Sequence, residues 1–548
     1  MLKPHPITHR ITMPPDTAAA QEYIKPANVG DLPPFVATPD MIRQTAATAP
    51  DRIAVKCEGR SITWSDFDRR LNRVARALQA SGLQRGDKIA VLAINAIEYL
   101  EVFMGALRAG ICVVPLSTMG AVDALEGMLD DSDSRMFFLG RQFLELVAPA
   151  EDRLKKLVPN GRIAFDFARE GWTAYEAWIG AQSDAPFHVD IEPEDDFNII
   201  YSSGTTGLPK GILHSHRMRS LMRDRLAALD FGPDTVCLAS TPLYSNTTIA
   251  GMLPTIQHGG TVVLMKKFDV VQFLELAQAE RVTHAMLVPV QYQRLLAHPD
   301  FDRYDLSSFK MKLSTSAPLR AHIKADCLKR WPGRLVEIYG LTEGGGSCTL
   351  EANLHPDKLH TVGQPGLGCV MKIIDEAGNE LPQGEIGEIV GRAAMMMKGY
   401  YKQPGKTQEL FWHDKDGLMY FRSGDMGRFD ADGFLELLDR RKDMIISGGF
   451  NVYPADIEVL LLKHPDVIDV AVIGIPSDQW GESPLALVVR REGATTAEAI
   501  LDWANRQLGK TQRLVGVEFR ESLPRSTIGK IMKRELRAPF WEGRGSKI

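Results

Sequence analysis

Between residues 88 and 339 the chain alternates short apolar runs with stretches whose apolar residues recur at helical spacing, and this alternation restricts the fold most. Residues 88–94 read Lys88-Ile89-Ala90-Val91-Leu92-Ala93-Ile94 and predict a buried strand. Residues 96–109 follow with Ile97, Leu100, Phe103, Met104 and Leu107 on one helical face, and 111–115 predict another strand. The pattern returns at 261–265, 271–279, 282–289 and 335–339. Such alternation predicts α/β layers with largely parallel strands. With 548 residues, more than one hydrophobic core usually organises, at least two domains are expected. Past about residue 440 the units shorten: 467–475 and 485–490 predict strands and 496–508 an amphipathic helix, in a small α+β domain.

Composition narrows the function classes. The chain is 44% hydrophobic and 24% charged with a net charge of -5, so nothing points electrostatically to nucleic acid. Its six cysteines form no C-x-x-C pair and fit reduced thiols of a cytoplasmic protein. The N-terminal 16 residues, broken by Pro4, Pro6, Pro14 and Pro15, lack the apolar region of a signal peptide. Residues 235–265 lack Asp, Glu, Lys and Arg, but Pro242, Asn246, Pro254, Gln257 and His258 interrupt them, so no integral membrane segment is expected.

The apolar run Asn198-Ile199-Ile200-Tyr201 leads into Ser202-Ser203-Gly204-Thr205-Thr206-Gly207-Leu208-Pro209-Lys210-Gly211. Glycines let the backbone curl so that N–H groups converge, the hydroxyls add donors, and Lys210 adds a mobile positive charge. Together these suit a polyphosphate. This is not the common P-loop, because Gly211 follows Lys210 where Ser or Thr would hold magnesium. A flexible Ser/Gly linker is the alternative, and the preceding strand and the Pro-Lys-Gly ending weigh against it.

Further motifs follow in order. Tyr339-Gly340-Leu341-Thr342-Glu343 closes a predicted strand, where ligands gather in open α/β sheets. Carboxylate and hydroxyl oxygens there suit a hard cation that also binds phosphate, although a Thr-Glu pair alone usually just starts a helix. In Phe421-Arg422-Ser423-Gly424-Asp425 the carboxylate can accept from two vicinal hydroxyls, or simply close a tight turn. The charged run Asp439-Arg440-Arg441-Lys442-Asp443 and the basic run from Pro524 to Arg537 would ordinarily be solvated surface.

Taken together, and in this order, these motifs resemble the adenylate-forming superfamily of acyl-CoA synthetases, luciferases and peptide-synthetase adenylation domains, from about Phe35 to Arg537. The resemblance implies an AMP-forming ligase that uses ATP, Mg²⁺ and coenzyme A to convert a carboxylic acid to an acyl adenylate and then a thioester. It implies an N-terminal adenylation domain over 1–438, a hinge over 439–442 pivoting at Lys442, and a mobile C-terminal domain over 443–548. Residues 202–207 and Lys210 take the phosphates, Tyr339 stacks on adenine beside Gly340, and Thr342 contacts phosphate. Glu343 holds Mg²⁺ with Thr205. Ser316, Ala317 and Pro318 lie against adenine, with Thr315 and Ser316 replacing the usual glycines, and Glu337 is a candidate for the adenine edge. Asp425 and Arg440 take ribose, Gly448 and Gly449 line the pantetheine tunnel, and Trp480 is a candidate coenzyme A contact, equally readable as packing. Lys530, in Ile528-Gly529-Lys530, is the adenylation lysine, and a lysine brought to developing charge is sound electrostatic catalysis.

In relatives the segment matching 241–248 lines the acyl pocket, which places Tyr244 and Ser245 there, with Gly344 leaving room after Glu343. A His or aromatic often stands where Ser245 does. No Asp or Lys stands where a charged substrate would obviously need one, although Lys312 is near, so a hydrophobic acid, fatty or ring, is expected. The alternatives are an acyl-AMP ligase loading a carrier protein, a luciferase-like oxygenase and a nucleotide-binding pseudo-enzyme. A peptide-synthetase domain fits less well, with only 538–548 after the last motif. Oligomeric state is open, a homodimer included. His214 and His216 read as packed or surface histidines, 194–196 as a solvated turn, and the run Met395-Met396-Met397 as packing.

Overall fold

Four sheets organise the described residues of the computed structural model, namely 32–118, 122–202, 210–440, 443–447, 450–477, 480–491, 495–509, 512–526 and 529–542. The nine-stranded sheet runs in the order Gln364–Pro365, Ser347–Glu351, Arg334–Gly340, Met311–Ser314, His284–Leu287, Val236–Ala239, Thr261–Leu264, Ile53–Cys57 and Arg60–Thr63. From Arg334–Gly340 to Ile53–Cys57 its neighbours are parallel, and the edges are antiparallel. An eight-stranded sheet places Lys210–Ser215, Asp196–Ser202, Cys112–Pro115, Lys88–Leu92 and Ser134–Leu139 side by side.

Period-two alternation explains why the central strands are apolar throughout. In Lys88–Leu92, Ile89 and Val91 enter one core while Ala90 and Leu92 enter another on the opposite face. In the nine-stranded sheet Val262 and Leu264 join the first of these cores and Val263 a third. The shared core also takes Phe67, Leu71 and Val74 from helix Trp64–Ala80 and Leu100 and Phe103 from helix Ile97–Arg108, so both helices lie between the sheets. They approach closely at Gly105, where a Cβ would stand 2.5 Å from Val74 Cγ1. Thr63 caps the first helix by accepting the Asp66 N–H at 3.1 Å.

The expected largely parallel architecture holds for these two sheets, but a third is antiparallel. It pairs Cys369–Ile374, Gly387–Ala393, Met419–Phe429 and Phe411–His413, with Leu435–Arg440 on Met419–Phe429. Cys369–Ile374 and Gly387–Ala393 are joined by turns rather than a helix: Gly378 at φ +85° and the Asp375 carboxylate accepting the Asn379 N–H at 2.7 Å close one of them. The smaller C-terminal domain carries the fourth sheet, Phe450–Val452, Ile445–Ser447, Gly481–Arg490 and Val467–Ser477, with Gly516–Phe519 parallel to Gly481–Arg490. Helix Ala497–Asn505 packs on it through Ile500 and Ala504, as the 496–508 pattern predicts. Residues 235–265 form strand, helix and strand, and among the described residues no helix is long and apolar enough to cross a membrane.

His214 and His216 are packed rather than exposed. The His216 ring meets Phe197 edge-on at 5.0 Å, and neither ring nitrogen has a hydrogen-bond partner among the described residues. Burial pushes its pKa down to about 4, with Asp195 and Asp196 only partly offsetting this. The unfolded chain therefore binds more protons between about pH 4 and 6.5, and stability present above that window is lost as pH falls through it. His216→Phe is expected to reduce the stability difference between pH 7 and pH 4 by about 3 kcal/mol, read from urea midpoints. An unchanged acid loss would show that His216 is not held neutral in the folded protein.

Candidate active site

A cavity of about 250 Å³ opens where strand Arg334–Gly340 ends, and both domains line it. Met419–Phe429 and Leu435–Arg440 are antiparallel neighbours whose register sets Asp425 opposite Arg440. Arg440 Nε lies 3.2 Å from one Asp425 oxygen, and the Tyr339 hydroxyl donates to the other at 2.9 Å. Tyr339, Asp425 and Arg440 thus meet on one wall, with Gly340 beside them.

Ser316, Ala317 and Pro318 form an adjacent wall. Ser316 has φ +79°, a conformation that suits glycine, and its Oγ lies 2.6 Å from the Thr247 Oγ1. That contact joins the loop to helix Asn246–Gln257. Glu337 also lines the cavity, but its carboxylate is committed elsewhere: one oxygen accepts the Leu319 N–H at 2.6 Å and the other pairs with Lys324. Burial raises its pKa, and Lys324 opposes that shift. Glu337 therefore anchors the 316–318 loop.

Lys530 and Lys533 bring the C-terminal domain to the same cavity. Lys533 Nζ stands 2.9 Å from Glu458 and 3.4 Å from Asp439. Burial pushes the Asp439 carboxyl up to about 6 against the pull of Lys533. Burial works to lower Lys533 as well, but Glu458 and Asp439 hold it above the usual lysine range.

Ser202 and Lys210 face each other as the last paired residues of Asp196–Ser202 and Lys210–Ser215, so they close the base of the Gly/Ser loop. Lys210 Nζ sits 4.9 Å from the centre of the Tyr400 ring. The Tyr400 hydroxyl donates to Glu343 Oε1 at 2.9 Å. Glu343 is further held by its carbonyl, which accepts the Met397 N–H at 2.8 Å. Ser203, Gly204, Thr205, Thr206 and Gly207, Lys442, where the hinge is expected, and Gly448 and Gly449 lie outside the described residues.

Thr342 is held from the far side by a buried chain. Arg219 Nη2 donates to His214 Nδ1 at 3.0 Å, which leaves Nε2 to donate to the Thr342 carbonyl at 2.8 Å. Arg219 also donates to Asn198 and, at 2.9 Å, to Asn246. Burial and the neighbouring Arg219 keep His214 well below the ordinary histidine range.

The acyl-side residues divide. Tyr244 is buried, and its hydroxyl has no partner among the described residues. Ser245 caps helix Asn246–Gln257, accepting the Thr247 N–H at 3.2 Å. The room expected at Gly344 is already taken, because a Cβ there would lie 2.2 Å from the Met395 carbonyl oxygen. Lys312 donates to the carbonyls of Trp331, Pro332 and Gly333, at 2.6, 2.7 and 2.7 Å, so its ammonium is occupied. Trp480, 40% exposed, is not a core residue.

Several contributors escaped the sequence reading: Tyr400, the Arg219–His214 chain, Thr247 and the Lys533–Asp439–Glu458 cluster. The Met395-Met396-Met397 run does pack, and its backbone also pins Glu343 and bridges Gly344. Only the position of Lys533, close after Lys530 in the same basic run, was a local signal for any of them.

The model of the AMP-binding enzyme family matches residues 42–401, and that of the AMP-binding enzyme C-terminal domain matches 456–530. A feruloyl-CoA synthase of Amycolatopsis sp is 34% identical over 90% of this chain and 97% of its own length. The fatty acid–[acyl-carrier-protein] ligase ScoC of Streptomyces coeruleorubidus is 31% identical over 94% of this chain and 98% of its own. The crystal structure of ATP-bound MatB from Rhodopseudomonas palustris superposes with a TM-score of 0.82 at 29% identity, covering 92% of this chain and 99% of that one. With two domain models matched in order and relatives aligned over almost their full length, the chain belongs to the AMP-binding enzyme family.

Proposed function

We propose that the protein is an AMP-forming carboxylic acid–coenzyme A ligase acting on a hydrophobic fatty or ring acid. The observation that carries this reading is the meeting of Lys530, from the last loop of the small domain, with Tyr339, Asp425 and Arg440 of the large domain around one cavity. In the first half-reaction a substrate carboxylate oxygen attacks the α-phosphorus of ATP and pyrophosphate leaves. In the second, the coenzyme A sulfur attacks the acyl carbon and AMP leaves. No side-chain nucleophile is needed, so the protein contributes position and charge.

Asp425 and Arg440 take the ribose, Tyr339 and the 316–318 loop the adenine, and Lys210 with residues 202–207 the phosphates. Among the described residues no group of three or more His, Cys, Asp or Glu side chains could hold a metal by itself. Glu343 suits Mg²⁺ that draws most of its ligands from phosphate, because its second carboxylate oxygen has no hydrogen-bond partner among the described residues. Bound there with Thr205, Mg²⁺ would neutralise phosphate charge. The small domain, 443–548, turns about the 439–442 hinge at Lys442 between half-reactions. That motion replaces Lys530 with Gly448 and Gly449, and the exposed Trp480 is a further candidate contact for coenzyme A. Six unpaired thiols fit a cytoplasmic location.

A panel of ferulic, cinnamic, benzoic, octanoic, dodecanoic and hexadecanoic acids, scored by ATP-dependent pyrophosphate release, tests the reading. At least one acid is expected to release pyrophosphate, and coenzyme A to release AMP with it. The similarity to ScoC supports one rival, transfer to a carrier protein. Turnover with an acyl carrier protein but not with coenzyme A would select that rival. ATP binding without pyrophosphate release from any acid would mark a pseudo-enzyme.

A further inference from the structure

We propose that Asp469 positions Lys530 by clamping the Lys530 loop to the large domain, holding one arginine from each domain; the proposal rests on reading Lys530 as the adenylation lysine. Asp469 stands in strand Val467–Ser477 of the C-terminal sheet. Its Oδ1 accepts from Arg320 Nη2 at 3.0 Å and from the Val470 N–H at 3.1 Å, and its Oδ2 accepts from Arg525 Nη2. The carboxylate is 14% exposed, its partners 30% and 26%.

Each arginine leads to the cavity. Arg320 belongs to the large domain, at the N-cap of helix Ala321–Arg330, directly after the Ser316–Leu319 loop. Arg525 begins the turn that bears Lys530: its Nη1 donates to the Gly529 carbonyl at 2.8 Å, and the Ser526 N–H donates to the Lys530 carbonyl at 2.8 Å. Arg525 and Ile531 close this turn as an antiparallel bridge. The turn is also seated sterically. Gly529 has φ +74°, and a Cβ there would stand 2.6 Å from Val290 Cγ1 in helix Pro289–Leu296 of the large domain.

The two ion pairs differ in what they report. Arg525 and Asp469 move together in the small domain, so their pair survives any rotation of it. Arg320–Asp469 crosses the domains, and a rotation that withdraws Lys530 must break it. It therefore stabilises only the arrangement with Lys530 in the cavity, the differential contact a two-state element requires. A charge-assisted but part-exposed pair makes this a bias rather than a lock.

Arg320→Ala tests the clamp, with the acid of the panel above that turns over fastest. Pyrophosphate release is expected to fall about tenfold through misplacement of Lys530. Thioester formation from coenzyme A and the synthetic adenylate of that acid is expected to be unchanged or faster. Asp469→Asn should cost adenylation more, because Arg525 is loosened as well, and Arg320→Lys should restore most of the rate. Wild-type adenylation in Arg320→Ala, or equal loss in both half-reactions, overturns the clamp while Lys530→Ala remains inactive. Adenylation that survives Lys530→Ala overturns the reading of Lys530 and the clamp with it.

Discussion

Lys530→Ala is expected to lower acyl-adenylate formation by a factor on the order of 10³, while conversion of supplied acyl adenylate to the thioester continues near the wild-type rate. The first half-reaction gathers negative charge between the attacking carboxylate and the α-phosphate, and Lys530 is the cationic side chain that the small domain brings to the cavity beside Lys533. Lys533 cannot stand in for it, since Glu458 at 2.9 Å and Asp439 at 3.4 Å engage its ammonium. The second half-reaction expels AMP from a mixed anhydride already formed and needs no new charge at that point. Pyrophosphate release and thioester formation, measured separately on the same preparation, check the prediction. Equal loss of both would refute the assignment of Lys530 to one half-reaction.

Asp425→Ala should raise the KM for ATP about a hundredfold, with a smaller fall in kcat at saturating ATP. On the proposed function the side chain does two things: it presents an acceptor for the ribose hydroxyls, and through its observed contacts it orients Tyr339 and Arg440. Its removal leaves a buried tyrosine hydroxyl and a guanidinium without their shared acceptor, a loss of about 2–3 kcal/mol for hydrogen bonds to a charged group. Ribose contacts are made alike before and during the chemical step, so the loss belongs in KM. Asp425→Asn keeps the shape and one acceptor and should fall between. A kcat effect larger than the KM effect, in initial rates over ATP concentration, would place Asp425 nearer the reacting atoms than the ribose.

What the amino-acid sequence determined alone was whatever is written within a few residues. The apolar run 88–94 could only be buried on both faces, and Ile89 and Val91 do part from Ala90 and Leu92 into separate cores. The position of Tyr339-Gly340 at a strand end was likewise legible, because the apolar run before it and the residues after it are adjacent in the chain. The antiparallel sheet over 369–440 was less legible, since strands Cys369–Ile374 and Met419–Phe429 are partly exposed and short turns join Phe411–His413, Met419–Phe429 and Leu435–Arg440. What tertiary structure alone decided were the partners. His214 meets Thr342 across 128 positions, Tyr400 meets Glu343 across 57, and Asp469 meets Arg320 across 149. The room at Gly344 was settled the same way, by a carbonyl from Met395. Strand and helix periods are local, imposed by the backbone on each segment, whereas a hydrogen bond between distant residues follows from how sheets and domains stack and leaves no spacing in the chain to read.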